Sequence, residues 1–253
     1  MATTRKKPPL SYRWLHATLG RLIRWYFPVR VEGEIPKGQF IAYSAHTAVI
    51  DSYVILAILE RHRLVKIPAK AEYFEDGDLK QRFIRWLVRQ AGVPVDRDDR
   101  DSGQSALTVL RGVIDDGGSP VLHPEGTRTD GRAVYKGKTG LIQLALDTGV
   151  PLLPIVLHGT AIANEPGRRW LRRRRIIVKL LPAVTVEPSR ALRAVEQIEE
   201  SKRTDLIRRQ IERLRKYALE RSARDAMELL AAHQGVPYVN EDYRKRQRRT
   251  DRF

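Results

Sequence analysis

A histidine and an aspartate, His46 and Asp51, stand five residues apart in the stretch SAHTAVID. A carboxylate that accepts one imidazole N–H fixes the ring's tautomer and supports the imidazolium. The other ring nitrogen is then left to take a proton from a hydroxyl. On one straight helix this spacing turns through about 500°, well away from a common face. The two side chains meet only if the chain bends between them. Further along, VLHPEGTRTDG (Val121–Gly131) gathers an acid, a base, a histidine, a proline and two glycines. Pro124 and Gly126 enforce a turn, and Gly126 lets the backbone approach a ligand closely. Thr127 adds a hydroxyl. Arg128 presents a planar fork suited to a phosphate. Glu125 either holds Arg128 or bonds a ligand hydroxyl. Taken singly, each stretch also reads as ordinary structure: a capping histidine beside an exposed acid, and a charged surface turn.

The elements that must position these residues follow from periodicity. QFIAYSA (Gln39–Ala45) reads as a strand and AVIDSYVILAILERH (Ala48–His62) as a helix, so the bend falls between His46 and Asp51. SPVLHPEG reads as strand into loop. VRVEG (Val29–Gly33), LVKIPAKA, VPVD and IIVKLLPAVTV supply further strands. VPLLPIVLHG (Val150–Gly159) reads as a strand interrupted at Pro154. Leu79–Gly92, Ser102–Asp116 and Gly137–Gly149 read as helices, the last closed by Gly149. Strands alternating with helices imply an α/β fold, with a mostly parallel or mixed sheet covered by helices. Chemistry in such sheets sits at the carboxyl ends of strands. Lys70 and Arg97 each follow a strand and are placed on the same rim.

Three regions are expected: an N-terminal helix within residues 1–28, an α/β domain over 29–187, and a helical extension with a basic tail over 188–253. In Ser11–Phe27, Leu15, Leu19, Leu22, Ile23 and Tyr26 share a face, with Arg13, Arg21 and Arg24 opposite. Trp14 and Trp25 flank the apolar side. Such a helix suits a membrane interface. In the long charged segment Ser189–Leu230, Leu206, Ile207, Ile211 and Leu214 share a face. YRKRQRRTDRF reads as a basic, mobile tail.

The chain has 253 residues, 47 Lys+Arg against 30 Asp+Glu, a net charge of +17, and no cysteine. The charge calls for an anionic partner: nucleic acid, an anionic membrane surface or phosphorylated substrates. Without cysteine there are no disulfides, Cys–zinc sites or thiolate nucleophiles. No apolar run reaches the roughly 18 residues that span a bilayer, and the charged start carries no signal-peptide pattern. No metal is expected, because no cluster has ligand spacing. A nucleic-acid-binding protein is the remote alternative. It would leave the motifs unexplained, and no helix-turn-helix, RRM or zinc module is present.

Taken together, the order and spacing of His46–x4–Asp51, the Lys70 block, Gly92–Arg97, Pro124–Arg128 and Val150–Pro154 resemble the glycerolipid acyltransferases typified by 1-acylglycerol-3-phosphate (lysophosphatidic acid) acyltransferases. The resemblance implies that His46 is a general base and Asp51 its orienting partner. It implies that Glu125, Gly126, Thr127 and Arg128, with Lys70 and Arg97, meet the acceptor's glycerol phosphate. An acyl group would pass directly from an acyl-CoA or acyl-carrier-protein thioester to the free hydroxyl of lysophosphatidic acid, giving phosphatidic acid, with no further cofactor, no covalent intermediate and no nucleic acid. Backbone N–H groups near Gly126 are the expected oxyanion donors. Another acceptor of the same chemistry (glycerol-3-phosphate, another lysophospholipid or a glycolipid precursor) is the alternative. The family's N-terminal element implies that Trp14, Leu15, Leu19, Leu22, Trp25 and Tyr26 sit in the interface. The protein would then be peripheral or monotopic on the cytoplasmic face of the cell membrane. Three positions depart from the family pattern: Ala45 for Asn, Ala48 for Ser, and His123 for Phe. His123 is either a packing or hydrogen-bonding residue, or a second titratable group at the site.

Overall fold

A computed structural model describes residues 7–59, 63–74, 89–95, 100–165, 170–188, 193, 197 and 205–250. Seven strands form one mixed sheet: β1 (Val29–Glu32), β2 (Ile41–Tyr43), β3 (Val65–Lys70), β4 (Gly92–Val95), β5 (Ser119–Leu122), β7 (Leu152–His158) and β8 (Ile176–Leu180). Their order is β1-β8-β7-β2-β5-β3-β4, and only the β7–β8 pair is antiparallel. Two short strands, β6 (Val134–Tyr135) and β9 (Tyr238–Val239), pair separately. The helices are α1 (Leu10–Tyr26), α2 (Ile50–Ile58), α3 (Arg100–Asp115), α4 (Gly140–Thr148), α5 (Thr160–Ala163), α6 (Asp205–Gln234) and α7 (Tyr243–Thr250).

The period-two rule of strands explains how one sheet carries two cores. Along β2, Ala42 faces a core with Val54, Ile55, Leu153 and Ile155. Its neighbours Ile41 and Tyr43 face the other, with Leu110, Ile142, Val156 and Met227. α1 and α2 cover the first face; α3, α4 and α6 cover the second. Gly149 ends α4 in the left-handed region, as its position after the helix predicts.

Four expectations need correction. β7 is not broken at Pro154. The ladder to β8 starts only at Ile155, so no N–H is required of Pro154 on that side, and its carbonyl accepts from Leu181. α6 runs to Gln234, and its buried residues lie mainly in Ala223–Ala231, whereas Leu206 is exposed. The basic tail starts as the ordered helix α7, where Tyr243 packs on Tyr135 with ring centroids 4.7 Å apart. The helix expected over Leu79–Gly92 falls largely outside the described residues, and Gly92 itself opens β4.

The environment of α1 also differs from expectation. Leu15 is only 6% exposed, and Leu19 and Tyr26 pack against the core. α1 packs closely on α2 at Gly20, where a Cβ would stand 3.4 Å from the Ala57 carbonyl oxygen. Arg24 donates to that same carbonyl at 2.6 Å. What remains outside is a second stripe of Leu10, Trp14 (64% exposed), Leu22 and Trp25 (74%). Among the described residues, no helix is long and apolar enough to cross a membrane.

Candidate active site

β2 and β5 lie side by side and parallel in the middle of the sheet, with Tyr43 opposite Leu122. Their carboxyl ends therefore deliver the next residues of both motifs to one place. His46 and His123 leave the sheet there as stacked rings, 4.1 Å between centroids and 11° from parallel. The chain bends after His46 and enters α2, whose second residue is Asp51.

The bend brings the pair together. His46 Nδ1–H donates to Asp51 Oδ2 at 3.1 Å. The same oxygen accepts the Thr47 and Ala48 N–H groups, each at 2.7 Å. The Asp51 side chain is 1% exposed and that of His46 13%. Burial works to raise the Asp51 pKa. The His46 hydrogen bond and charge, the Ala48 N–H and the Thr160 hydroxyl outweigh it, so the carboxyl is held below its ordinary range. With Nδ1 engaged, Nε2 is the His46 nitrogen left for a substrate. His46 lines a cavity of about 480 Å³ whose walls include Pro68, Val95, Leu107, Leu110 and Leu141.

Glu125 takes partners other than the expected Arg128. Its Oε2 accepts the His46 N–H and its Oε1 the Tyr135 N–H, both at 2.9 Å. The Thr129 N–H in turn donates to the His46 carbonyl at 2.7 Å. The loop thus grips the backbone of His46 from both sides. Glu125 is buried, and that burial pushes its pKa up to about 7, against the two backbone N–H groups and with help from the Asp51 and Asp130 charges. The Gly126 N–H closes the turn onto the His123 carbonyl, so it is not the oxyanion donor. Gly126 has φ +68°, in the left-handed region that favours glycine. Arg128 is exposed, with no ion pair to a described residue. Lys70 ends β3 and pairs with Glu72. Arg97 lies outside the described residues.

Two cavity residues escaped the sequence reading. Lys138 follows β6, a two-residue strand too short to show periodicity. Ser52 sits one residue past Asp51, hidden as an ordinary helix residue.

The Glu125 shift has a consequence for stability. Its folded value lies above the ordinary 4.5, so between 4.5 and about 7 the folded protein holds a proton that the unfolded chain has lost. Stability therefore falls as pH rises across that window, by on the order of 3 kcal/mol. Glu125→Gln removes this slope, which denaturant unfolding at several pH values measures. An unchanged slope in the variant would assign the titration to another group.

Comparison with known proteins follows the same residues. The Acyltransferase family model matches residues 28–158, from β1 to the end of β7. A 1-acyl-sn-glycerol-3-phosphate acyltransferase of Limnanthes douglasii is 27% identical over 173 residues, covering 67% of this chain and 59% of that protein. Its counterpart in Haemophilus influenzae is 26% identical over 160 residues, covering 57% of this chain and 62% of that one. The chain thus spans about three-fifths of the length of each of these two relatives. The crystal structure of the 1-acyl-sn-glycerophosphate (LPA) acyltransferase PlsC from Thermotoga maritima shares 25% identity at a TM-score of 0.55, over 86% of this chain and 79% of that one. With more than half of its length matched by the family model, over a range that includes the histidine–aspartate pair and its gripping loop, the chain belongs to the Acyltransferase family.

Proposed function

We propose that this protein transfers a fatty acyl group from a thioester to the free hydroxyl of lysophosphatidic acid, yielding phosphatidic acid for phospholipid synthesis. The observation that carries this reading is the His46–Asp51 pair, with one imidazole nitrogen committed to the carboxylate and the ring opening into a largely apolar cavity. His46 Nε2 takes the hydroxyl proton, and Asp51 supports the imidazolium. The hydroxyl oxygen bonds to the thioester carbon, the C–S bond breaks, and the departing thiolate takes the proton from His46. The apolar walls suit an acyl chain.

Arg128, Lys70 and Arg97 supply positive charge for the acceptor's phosphate. Glu125 contributes by fixing the His46 backbone. The donor is an acyl-CoA or an acyl-carrier protein. Mass-spectrometric product analysis with lysophosphatidic acid and each donor tests the reading. Phosphatidic acid is expected from at least one. Its absence with both, alongside product from glycerol-3-phosphate or another lysophospholipid, would move the assignment to that acceptor.

The acceptor resides in a membrane, and the reading places the protein on the cytoplasmic face of one, held from the side. Leu10, Trp14, Leu22 and Trp25 form an exposed apolar stripe with Arg21 among them. The Tyr26 hydroxyl donates to the Leu171 carbonyl at 2.7 Å, which brings exposed Trp170 and the run Arg172–Arg175 to the same end of α1. Aromatics beside basic residues suit an anionic interface. Trp14→Ala and Trp25→Ala should each weaken sedimentation with anionic vesicles by roughly tenfold, about 1–2 kcal/mol of lost apolar burial. Binding indifferent to both substitutions and to salt would remove α1 from this role.

A further inference from the structure

The cavity contains a second hydroxyl–imidazole pair. The Ser52 hydroxyl oxygen lies 2.9 Å from His123 Nε2. On the far side of the ring, Nδ1 lies 3.2 Å from the Ser44 carbonyl oxygen and 3.0 Å from the Ser44 hydroxyl. A carbonyl only accepts, so in the neutral ring Nδ1 carries the hydrogen and donates it toward Ser44. Nε2 is left with its lone pair facing Ser52, whose O–H donates to it. A hydroxyl on a base, with that base oriented at its other nitrogen by a fixed acceptor, is the arrangement of an activated serine. The orienting group here is a backbone carbonyl in place of a carboxylate. Ser52, on the first turn of α2, and His123, at the end of β5, line the same cavity as His46.

We propose that Ser52 and His123 form a second catalytic pair, which hydrolyses acyl thioesters and small acyl esters in this cavity through an acyl-Ser52 intermediate. The proposal rests on the reading that an acyl thioester binds there. Ser52 Oγ–H gives its proton to His123 Nε2 while Oγ bonds to the acyl carbon. The C–S bond breaks, and the thiolate takes the proton from His123, leaving as thiol. A water molecule then gives its proton to the same nitrogen, and its oxygen bonds to the acyl carbon. The ester bond to Oγ breaks, and Ser52 recovers its proton. The net change is thioester plus water to carboxylic acid plus thiol.

Two features set the balance between this cycle and acyl transfer. The rings of His46 and His123 are stacked face to face, so a proton on one opposes a proton on the other, and the two cycles exclude each other at any instant. His123 is also oriented by a neutral carbonyl, whereas His46 has an ionised carboxylate. Hydrolysis is therefore expected to be roughly 10²–10⁴-fold slower than transfer.

The test uses the full chain with an acyl-CoA and no acceptor, following thiol release. Slow release is expected. It should fall at least tenfold in Ser52→Ala and in His123→Phe, with folding verified by circular dichroism. Peptide mapping of acid-quenched protein should place an acyl mass on Ser52. Release that is unchanged in Ser52→Ala, with no adduct on Ser52 in the parent, would overturn the proposal. Water would then be activated by His46, and the Ser52–His123 bond would be structural. A p-nitrophenyl ester of a short acid keeps the two readings apart. Ser52-dependent ester cleavage without any thioester turnover would count against the thioester donor and leave the pair standing. No Ser52-dependent cleavage of either probe would overturn it.

Discussion

His46→Ala is expected to lower acyl transfer by about 10²–10⁴-fold, the range that a positioned general base contributes. The melting temperature should hardly change, and the reason is local. The backbone at residue 46 is held by Glu125 on one side and Thr129 on the other, and neither bond uses the imidazole. Asp51 loses one donor but keeps the Thr47 and Ala48 N–H groups, so the bend into α2 survives. A variant that folds like the parent but does not turn over therefore locates the base. Steady-state rates with lysophosphatidic acid, alongside a thermal melt, make the comparison. Transfer within a few-fold of the parent would exclude His46 as the base.

How much of this was legible in the sequence depends on how local each signal is. The bend between His46 and Asp51 was readable because the chain switches from a period of two to one of 3.6 between Ala45 and Ala48. The turn at Pro124 and Gly126 was readable from its residue types. What those turns hold was not. Glu125 seemed a partner for Arg128 by proximity along the chain. Its true partners are the N–H groups of His46 and Tyr135, brought close only because β2 and β5 are neighbours and β6 returns over the loop. The stack of His46 on His123 has the same origin: strand order is a tertiary fact. In α1 the expected apolar face divides: Leu15, Leu19 and Tyr26 pack against the core, whereas Leu22 stays exposed with Trp14 and Trp25. Periodicity finds a face that avoids water, without saying whether lipid or a neighbouring helix covers it.

Asp51→Asn is the sharper probe of the pair, because it alters charge with almost no change in shape. Three donors converge on Oδ2: the Thr47 and Ala48 N–H groups and His46 Nδ1–H. An asparagine meets them by presenting its amide oxygen there, which leaves its NH2 at the position of Oδ1. The bend and the imidazole tautomer can then both persist. What disappears is the negative charge that supports the imidazolium as the hydroxyl proton arrives. In a serine protease triad the equivalent change costs about 10⁴-fold, and a loss of roughly 10³–10⁴-fold is expected here. Stability supplies an independent readout. The folded Asp51 pKa lies below the ordinary 3.8, so as pH falls beneath that value the unfolded chain takes up the proton first. The stabilisation from this carboxylate is therefore complete above 3.8 and drains away through the folded value. Asp51→Asn should remove that part of the acid sensitivity while abolishing turnover at neutral pH. A variant that shows the stability change yet keeps turnover within tenfold would make Asp51 a cap for the bend, with no part in supporting the base.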